Sequence, residues 1–188
     1  GVQTCALPIS VTISAWVRPD YTQGSPEFTI LGKERSFALS INNIIEPQNI
    51  AKFAVFDGIS WTTVEGTIPI EQDSLTLLTA VINETSIKLY VNGTLEGNAT
   101  LPTPYSISDG KLSTSEVLSN DSELVIGAYV STKNNDEKLS NYFSGTIEEL
   151  LIYKEALDES QIQEIYESFE QDSEIIGPIN PLYSSHLL

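Results

Sequence analysis

Apolar and polar residues alternate along most of this chain. In VTISAWV, Val11, Ile13, Ala15 and Val17 fall on one face while Thr12, Ser14 and Trp16 fall on the other, the period-two pattern of a half-buried strand. SIKLYVNGTLEG repeats it with Ile87, Leu89 and Val91 and then reaches Asn92-Gly93, the favoured pair for a type I′ hairpin turn. FTILGK, SFALSI, KFAVFDG, SWTTVEG, LTLLTAVI, ELVIGAY and GTIEELLIY are further strand-like runs, separated by Gly, Pro, Asn and Asp clusters at sandwich-like spacing. One helical pattern occurs, near the end. Asp158 with Gln161 forms a capping-box signature, and Ile162, Ile165, Tyr166 and Phe169 follow on one helical stripe. The pattern therefore predicts an all-β domain with one short C-terminal helix. Residues 100–122, rich in Ser, Thr, Pro and Asp, read as a long loop, and 171–188 read as a linker to a neighbouring domain.

Composition changes the picture at both ends. The chain has 188 residues, with 26 Asp and Glu against 9 Lys and Arg, a net charge of -17. So acidic a surface repels phosphate backbones and anionic lipid, which disfavours nucleic acid and membrane surfaces as partners. No apolar run approaches the roughly 20 residues that span a bilayer. Residues 1–9, GVQTCALPI, back-translate in one frame to the end of a sequencing-library adapter (GGA GTT CAG ACG TGT GCT CTT CCG ATC), so they read as a non-native scar. The single cysteine, Cys5, lies inside that stretch, which leaves residues 10–188 without a disulfide or thiolate-metal argument. The chain contains no methionine, so it reads as a piece of a longer, metagenomic-type reading frame.

VTISAWVRPD, ILGKERSFALSI, IKLYVNGTLEGNAT, LVIGAY and YFSGTIEELLIYKEALDESQIQEIY occur in that order. Together they resemble the laminin-G-like, concanavalin A-like jelly-roll family, over Ser10 to about Phe169. The resemblance implies a two-sheet antiparallel jelly-roll sandwich over residues 10–170. It also implies that one or two strands normally precede the ISAWV strand, so that the domain is N-terminally truncated. Two positions depart from the family pattern: Leu75 stands where a Trp usually opens the strand before the hairpin, and Glu148 stands where the family has Asp.

Catalysis finds little support in the residues. The only histidine, His186, sits in the expected linker, which removes Ser-His-Asp and Cys-His arrangements from the domain. Glu148 and Glu149 are adjacent on a strand and point to opposite faces, so they cannot flank one glycosidic bond. The resemblance implies that some relatives bind calcium through the acidic residue at the position of Glu148. Parity with Leu150 and Ile152 turns Glu148 toward the interior, where an ionised carboxylate needs a cation or backbone donors. The alternative is a structural carboxylate at a wet sheet end. Asp20, Asp57, Asp109 and Asp121 are loop acids. For sugar recognition the candidates are Trp61, Tyr105, Tyr129 and Tyr142, although each reads more readily as a buried sandwich aromatic. The FDGISWTT turn singles out Asp57 and Trp61 as a ligand-binding pair. Asn83, Asn92, Asn98 and Asn120 head N-x-[ST] sequons at strand ends and loops, where an attached glycan fits.

These readings converge on a non-catalytic recognition or adhesion module of a larger extracellular or cell-surface protein. Its expected partner is a glycan or an extracellular protein, with calcium as the expected cofactor. Two other readings stand beside it. A carbohydrate-binding module of a secreted glycoside hydrolase predicts a catalytic neighbour, and a structural spacer of a surface-layer protein predicts repeated copies and no ligand.

Overall fold

The computed structural model describes residues 10–23, 25–44, 46–57, 59–83, 85–102, 122–133 and 136–175. Every strand-like run of the sequence forms strand, ELVIGAY contributing to two. The strands are β1 (Val11–Pro19), β2 (Glu27–Lys33), β3 (Phe37–Asn42), β4 (Ile50–Phe56), β5 (Trp61–Pro69), β6 (Thr76–Ile82), β7 (Ser86–Val91), β8 (Thr94–Thr100), β9 (Leu124–Ile126), β10 (Tyr129–Lys133), β11 (Asp136–Ser140) and β12 (Gly145–Tyr153), followed by helix α1 (Glu159–Ile175). The front sheet has the order β12-β1-β6-β7-β8 and the back sheet β5-β4-β3-β2-β9, while β10 and β11 pair with each other as a separate hairpin. All strand pairs are antiparallel.

Strand parity decides the core. Ile13, Ala15 and Val17 are fully buried, as the alternation predicts, and they meet Phe28, Leu39, Ile41 and Phe53 of the back sheet in one apolar cluster. Burying side chains of this size contributes about 1.5–3 kcal/mol each, which holds the sheets face to face. The β7–β8 hairpin turns through Asn92 and Gly93 with φ of 50° and 76°, the type I′ geometry expected from that pair.

Helix α1 starts on the predicted cap. The Asp158 N–H donates to Gln161 Oε1 at 2.9 Å, and the Gln161 N–H donates to Asp158 Oδ1 at 3.0 Å, so each satisfies an otherwise orphaned donor. Ile162 is fully buried with Val81, Tyr90 and Leu157 on the outer face of the front sheet. Trp16, which points out of that face, stacks on Phe169 at 4.2 Å and on Tyr166 at 5.7 Å between ring centroids. The Thr12 hydroxyl donates to the Glu155 carbonyl at 2.8 Å and accepts from the Leu157 N–H at 2.9 Å, which ties the chain entering the helix to β1.

Two expectations are corrected, and one strand is added that the alternation does not mark. ELVIGAY is two strands, because Gly127 adopts φ +78° and sends its N–H to the Ile30 carbonyl at 2.9 Å, ending β9 and turning the chain into β10. Asp136–Ser140, too polar to show a period-two pattern, is strand β11. The helix runs to Ile175 and so continues beyond residue 170, into the stretch expected to be linker. Residues 1–9 with Cys5, residues 103–121 of the expected loop and residues 176–188 with His186 lie outside the described residues.

Candidate functional site

The back sheet turns its second face away from the core, and register places two rungs side by side on it. One is Thr29, Ser40, Lys52 and Glu65; the other is Gly32, Ala38, Ala54 and Thr63. The second rung is built mainly of small residues, so the sheet has a shallow floor there. Gly32 leaves room for a close approach: a Cβ at that position would lie 3.0 Å from Cδ2 of Tyr129, whose ring rests over the sheet. Trp61 opens β5 beside it, 6.5 Å from Tyr129 and 5.3 Å from Phe56 between ring centroids. Trp61 is 42 % exposed, so the ring is braced at its edges and open to solvent.

The result is a cleft of about 290 Å³, lined at one end by Trp61 and Tyr129 and at the other by Glu27, Lys52 and Asn141. That size sits at the lower end of the roughly 300–1,000 Å³ typical of ligand sites. Glu27 organises the polar end. Its Oε1 accepts from the Lys52 ammonium at 3.1 Å and from the Ser40 hydroxyl at 2.6 Å, and its Oε2 accepts from Asn141 Nδ2 at 3.4 Å. The β10–β11 hairpin that carries Tyr129 is fastened at two points. Glu34, in the β2–β3 turn, accepts from the N–H of Thr132 at 2.6 Å and from its hydroxyl at 2.7 Å, and the Thr29 N–H donates to the Asn141 carbonyl at 2.9 Å. Burial pushes the Tyr129 phenol up from its ordinary pKa, the charges of Glu34 and Glu27 add to that rise, and Arg35 opposes it.

The candidates from sequence separate clearly. Trp61 and Tyr129 come together in the cleft. Asp57 does not join them: it caps the β4–β5 turn, with Oδ1 accepting from the N–H groups of Ile59 at 2.8 Å and Ser60 at 2.7 Å. Burial raises its pKa, and these donors with the Ser60 hydroxyl more than reverse that, holding it below the usual carboxylate range. Asp20 serves its own turn in the same way, accepting from the N–H and hydroxyl of Thr22. Tyr142 is 57 % exposed and lines a neighbouring depression that shares Asn141 with the cleft. Asn98 is exposed on β8, whereas Asn83 and Asn92 spend their side-chain oxygens on the backbone, on Ser86 at 2.8 Å and Leu77 at 2.9 Å. Tyr105, Asp109, Asn120 and Asp121 lie outside the described residues.

Glu148 does not face the core with Leu150 and Ile152. A bulge in β12, where Glu149 takes φ 43°, shifts the register so that Glu148 pairs with Trp16, while Ile147 and Leu150 both pack on the core. Glu148 therefore shares the outer, helix-covered face with Trp16 and is half-buried. Among the described residues no group of three or more His, Cys, Asp and Glu is placed to hold a metal ion.

The site residues that sequence reasoning missed are Glu27, Lys52, Thr63 and Asn141. Parity puts Lys52 and Thr63 on a polar face, but only the strand order brings β2, β4, β5 and Asn141 around one space.

Fold and cleft define a two-sheet jelly-roll sandwich with a solvent-open groove on one sheet. Residues 4–163 match the concanavalin A-like lectin/glucanases superfamily, and the chain belongs to it. No curated protein sequence matches the chain. Among solved structures it is similar to the CBM40 domain of the Ruminococcus gnavus IT-sialidase bound to α2,3 sialyllactose, with TM-score 0.61 and 16 % identity over 85 % of this chain and 83 % of that one. It is also similar to the SAP-like pentraxin of Limulus polyphemus, with TM-score 0.58 and 15 % identity over 88 % and 78 %. A third similar structure is the binding domain of botulinum neurotoxin serotype C1, with TM-score 0.55 and 16 % identity. There 85 % of this chain covers 36 % of the other, so the chain spans about a third of the neurotoxin domain. At these identities the likeness is one of fold. No helix among the described residues is long and apolar enough to cross a membrane.

Proposed function

We propose that this domain is a non-catalytic recognition module that binds glycan in the cleft of the back sheet, carried by a larger extracellular or cell-surface protein. The observation that carries the reading is the exposed Trp61 ring set against Tyr129 beside a floor of small residues, with Glu27, Lys52 and Asn141 at the other end. A sugar has an apolar face of C–H groups and a rim of hydroxyls. An aromatic ring covers the first, and a few placed polar groups fix the second. The similar structures support this reading, since one holds sialyllactose and another is a binding domain. Among the described residues Glu27 is the one carboxylate lining the cleft, and it is held by Lys52, which favours binding over an acid and base pair flanking a glycosidic bond.

The test is Trp61→Ala, measured against a panel of immobilised plant, microbial and animal glycans. Binding is expected to fall about tenfold or more, as for an aromatic anchor worth roughly 2 kcal/mol, with the melting temperature nearly unchanged because the ring is solvent-open. A variant that binds as the parent does would remove the cleft from consideration.

A further inference from the structure

Resting on the glycan reading of this cleft, we infer that its ligand is an uncharged sugar, and that Glu27 sets this selectivity by occupying Lys52. Among the described residues Lys52 is the only Lys or Arg that lines the cleft. Its ammonium lies 3.1 Å from Glu27 Oε1, and both side chains are about three-quarters buried, so the pair is shielded from the screening that weakens surface ion pairs. A carboxylated or sulfated sugar entering the polar end must share Lys52 with Glu27 or displace it, and in either case its charge sits beside the Glu27 carboxylate. Placing like charges together in this way is how binding sites reject a wrong ligand. Glu65 pairs with Lys52 across β4 and β5 on the same face, which adds a second carboxylate on the far side of the lysine.

A neutral sugar meets no such cost. An ionised carboxylate has about four acceptor positions. Glu27 Oε1 takes Lys52 and Ser40, whereas Oε2 has only the long 3.4 Å bond from Asn141, so Oε2 can accept a sugar hydroxyl while the ion pair stays intact. At the aromatic end burial pushes the Tyr129 phenol up and the charges of Glu34 and Glu27 add to it, while a hydrogen bond from the Arg35 backbone and the Arg35 charge oppose the rise. Arg35, the next cation, is exposed on the β2–β3 turn, has interactions of its own and does not line the cleft. The chain as a whole carries 26 acidic against 9 basic residues, which repels anionic glycans before they arrive. The selectivity thus differs from that of the sialidase module with the same fold, whose bound ligand is sialylated.

The experiment uses pairs of glycans that differ in charge: lactose against α2,3 sialyllactose, and methyl-esterified against free oligogalacturonides, within a wider neutral panel of cello-, xylo-, manno- and chito-oligosaccharides. Affinities of the purified domain are measured by calorimetry at low salt. The neutral member of each bound pair is expected to bind about tenfold or more tightly than its acidic counterpart. Glu27→Gln, which frees the Lys52 charge, is expected to narrow or invert that ratio, and Trp61→Ala to abolish binding of both members. Tighter, Trp61-dependent binding of the acidic members by the parent protein overturns the charge selectivity and leaves the cleft reading standing. Binding that ignores Trp61, or no binding to any glycan, overturns the cleft reading and this inference with it. The parent ratio decides the matter even if Glu27→Gln fails to fold.

Discussion

Gly97 has no room for a side chain. A Cβ there would lie 2.8 Å from the Glu65 carbonyl, because β8 of the front sheet and β5 of the back sheet close one side of the sandwich backbone to backbone. A carbonyl cannot swing aside as a side chain does, so Gly97→Ala must part the two strands, at a cost of about 1–3 kcal/mol. Chemical denaturation of the variant should show that loss as a lower midpoint with an unchanged slope. Asp57 makes a pH-dependent contribution. Its folded pKa lies below the ordinary value, so what it adds is fully present above the unfolded carboxylate pKa of about 3.9 and is lost as pH falls through the folded value. Asp57→Ala should lower stability at pH 7 by no more than about 1 kcal/mol, since water screens this half-exposed group. The gap between parent and variant should close below pH ~3. A gap that stays constant down to that pH would mean the Asx turn does not depend on the carboxylate charge.

The β10–β11 hairpin reaches the back sheet through few contacts, so its position depends on the clamp between Glu34 and Thr132. Glu34→Ala is expected to raise amide exchange across Tyr129–Ser140 and to weaken glycan binding by releasing the Tyr129 ring, with little change in the melting temperature, because the core cluster is untouched. Exchange confined to its parent rate would assign the clamp no positioning role. The contrast between this hairpin and β1 shows where sequence is informative. In β1, alternation alone assigns Ile13, Ala15 and Val17 to the core, and Asn92-Gly93 and Asp158 with Gln161 announce their turn and cap, because each signal is local and set by backbone stereochemistry. In β11, DEKLS is exposed on both faces, so no burial pattern marks it. The β12 bulge is equally silent: one extra residue at Glu149 reverses the parity of everything before it, which is why Glu148 reads as a core residue and is not one. The cleft was legible only as Trp61 and Tyr129. Glu27, Lys52 and Asn141 are far apart in the chain and meet through the sheet order, which depends on long-range pairing and not on any single stretch.

A net charge of -17 on one small domain makes self-repulsion a property of the whole molecule. The compact state holds those charges closer together than the unfolded chain does, so at neutral pH repulsion opposes folding, and salt should relieve it. Raising sodium chloride from ~0.01 M to ~0.1 M shortens the screening length from about 30 Å to about 10 Å, below the width of the domain. The melting temperature at pH 7 is therefore expected to climb over that interval and to level off at higher salt. Salt can also stabilise by strengthening apolar burial, so the same titration belongs at the isoelectric point, about 4.1, where net repulsion vanishes. The charge argument requires the salt response to be lost there, whereas a burial effect would persist. Acidification from pH 7 should first stabilise the protein at low salt, as carboxylates protonate and repulsion falls. It should then destabilise it, as Asp57, Asp20 and Asp158, whose folded pKa values are all depressed by hydrogen bonds, are forced to take up protons. The low-salt optimum is accordingly expected on the acid side of neutrality, near pH ~5, and added salt should move it toward pH 7. A melting temperature that falls with salt at pH 7, or an optimum that stays fixed, would show that the acidic residues are spaced widely enough for their repulsion not to matter.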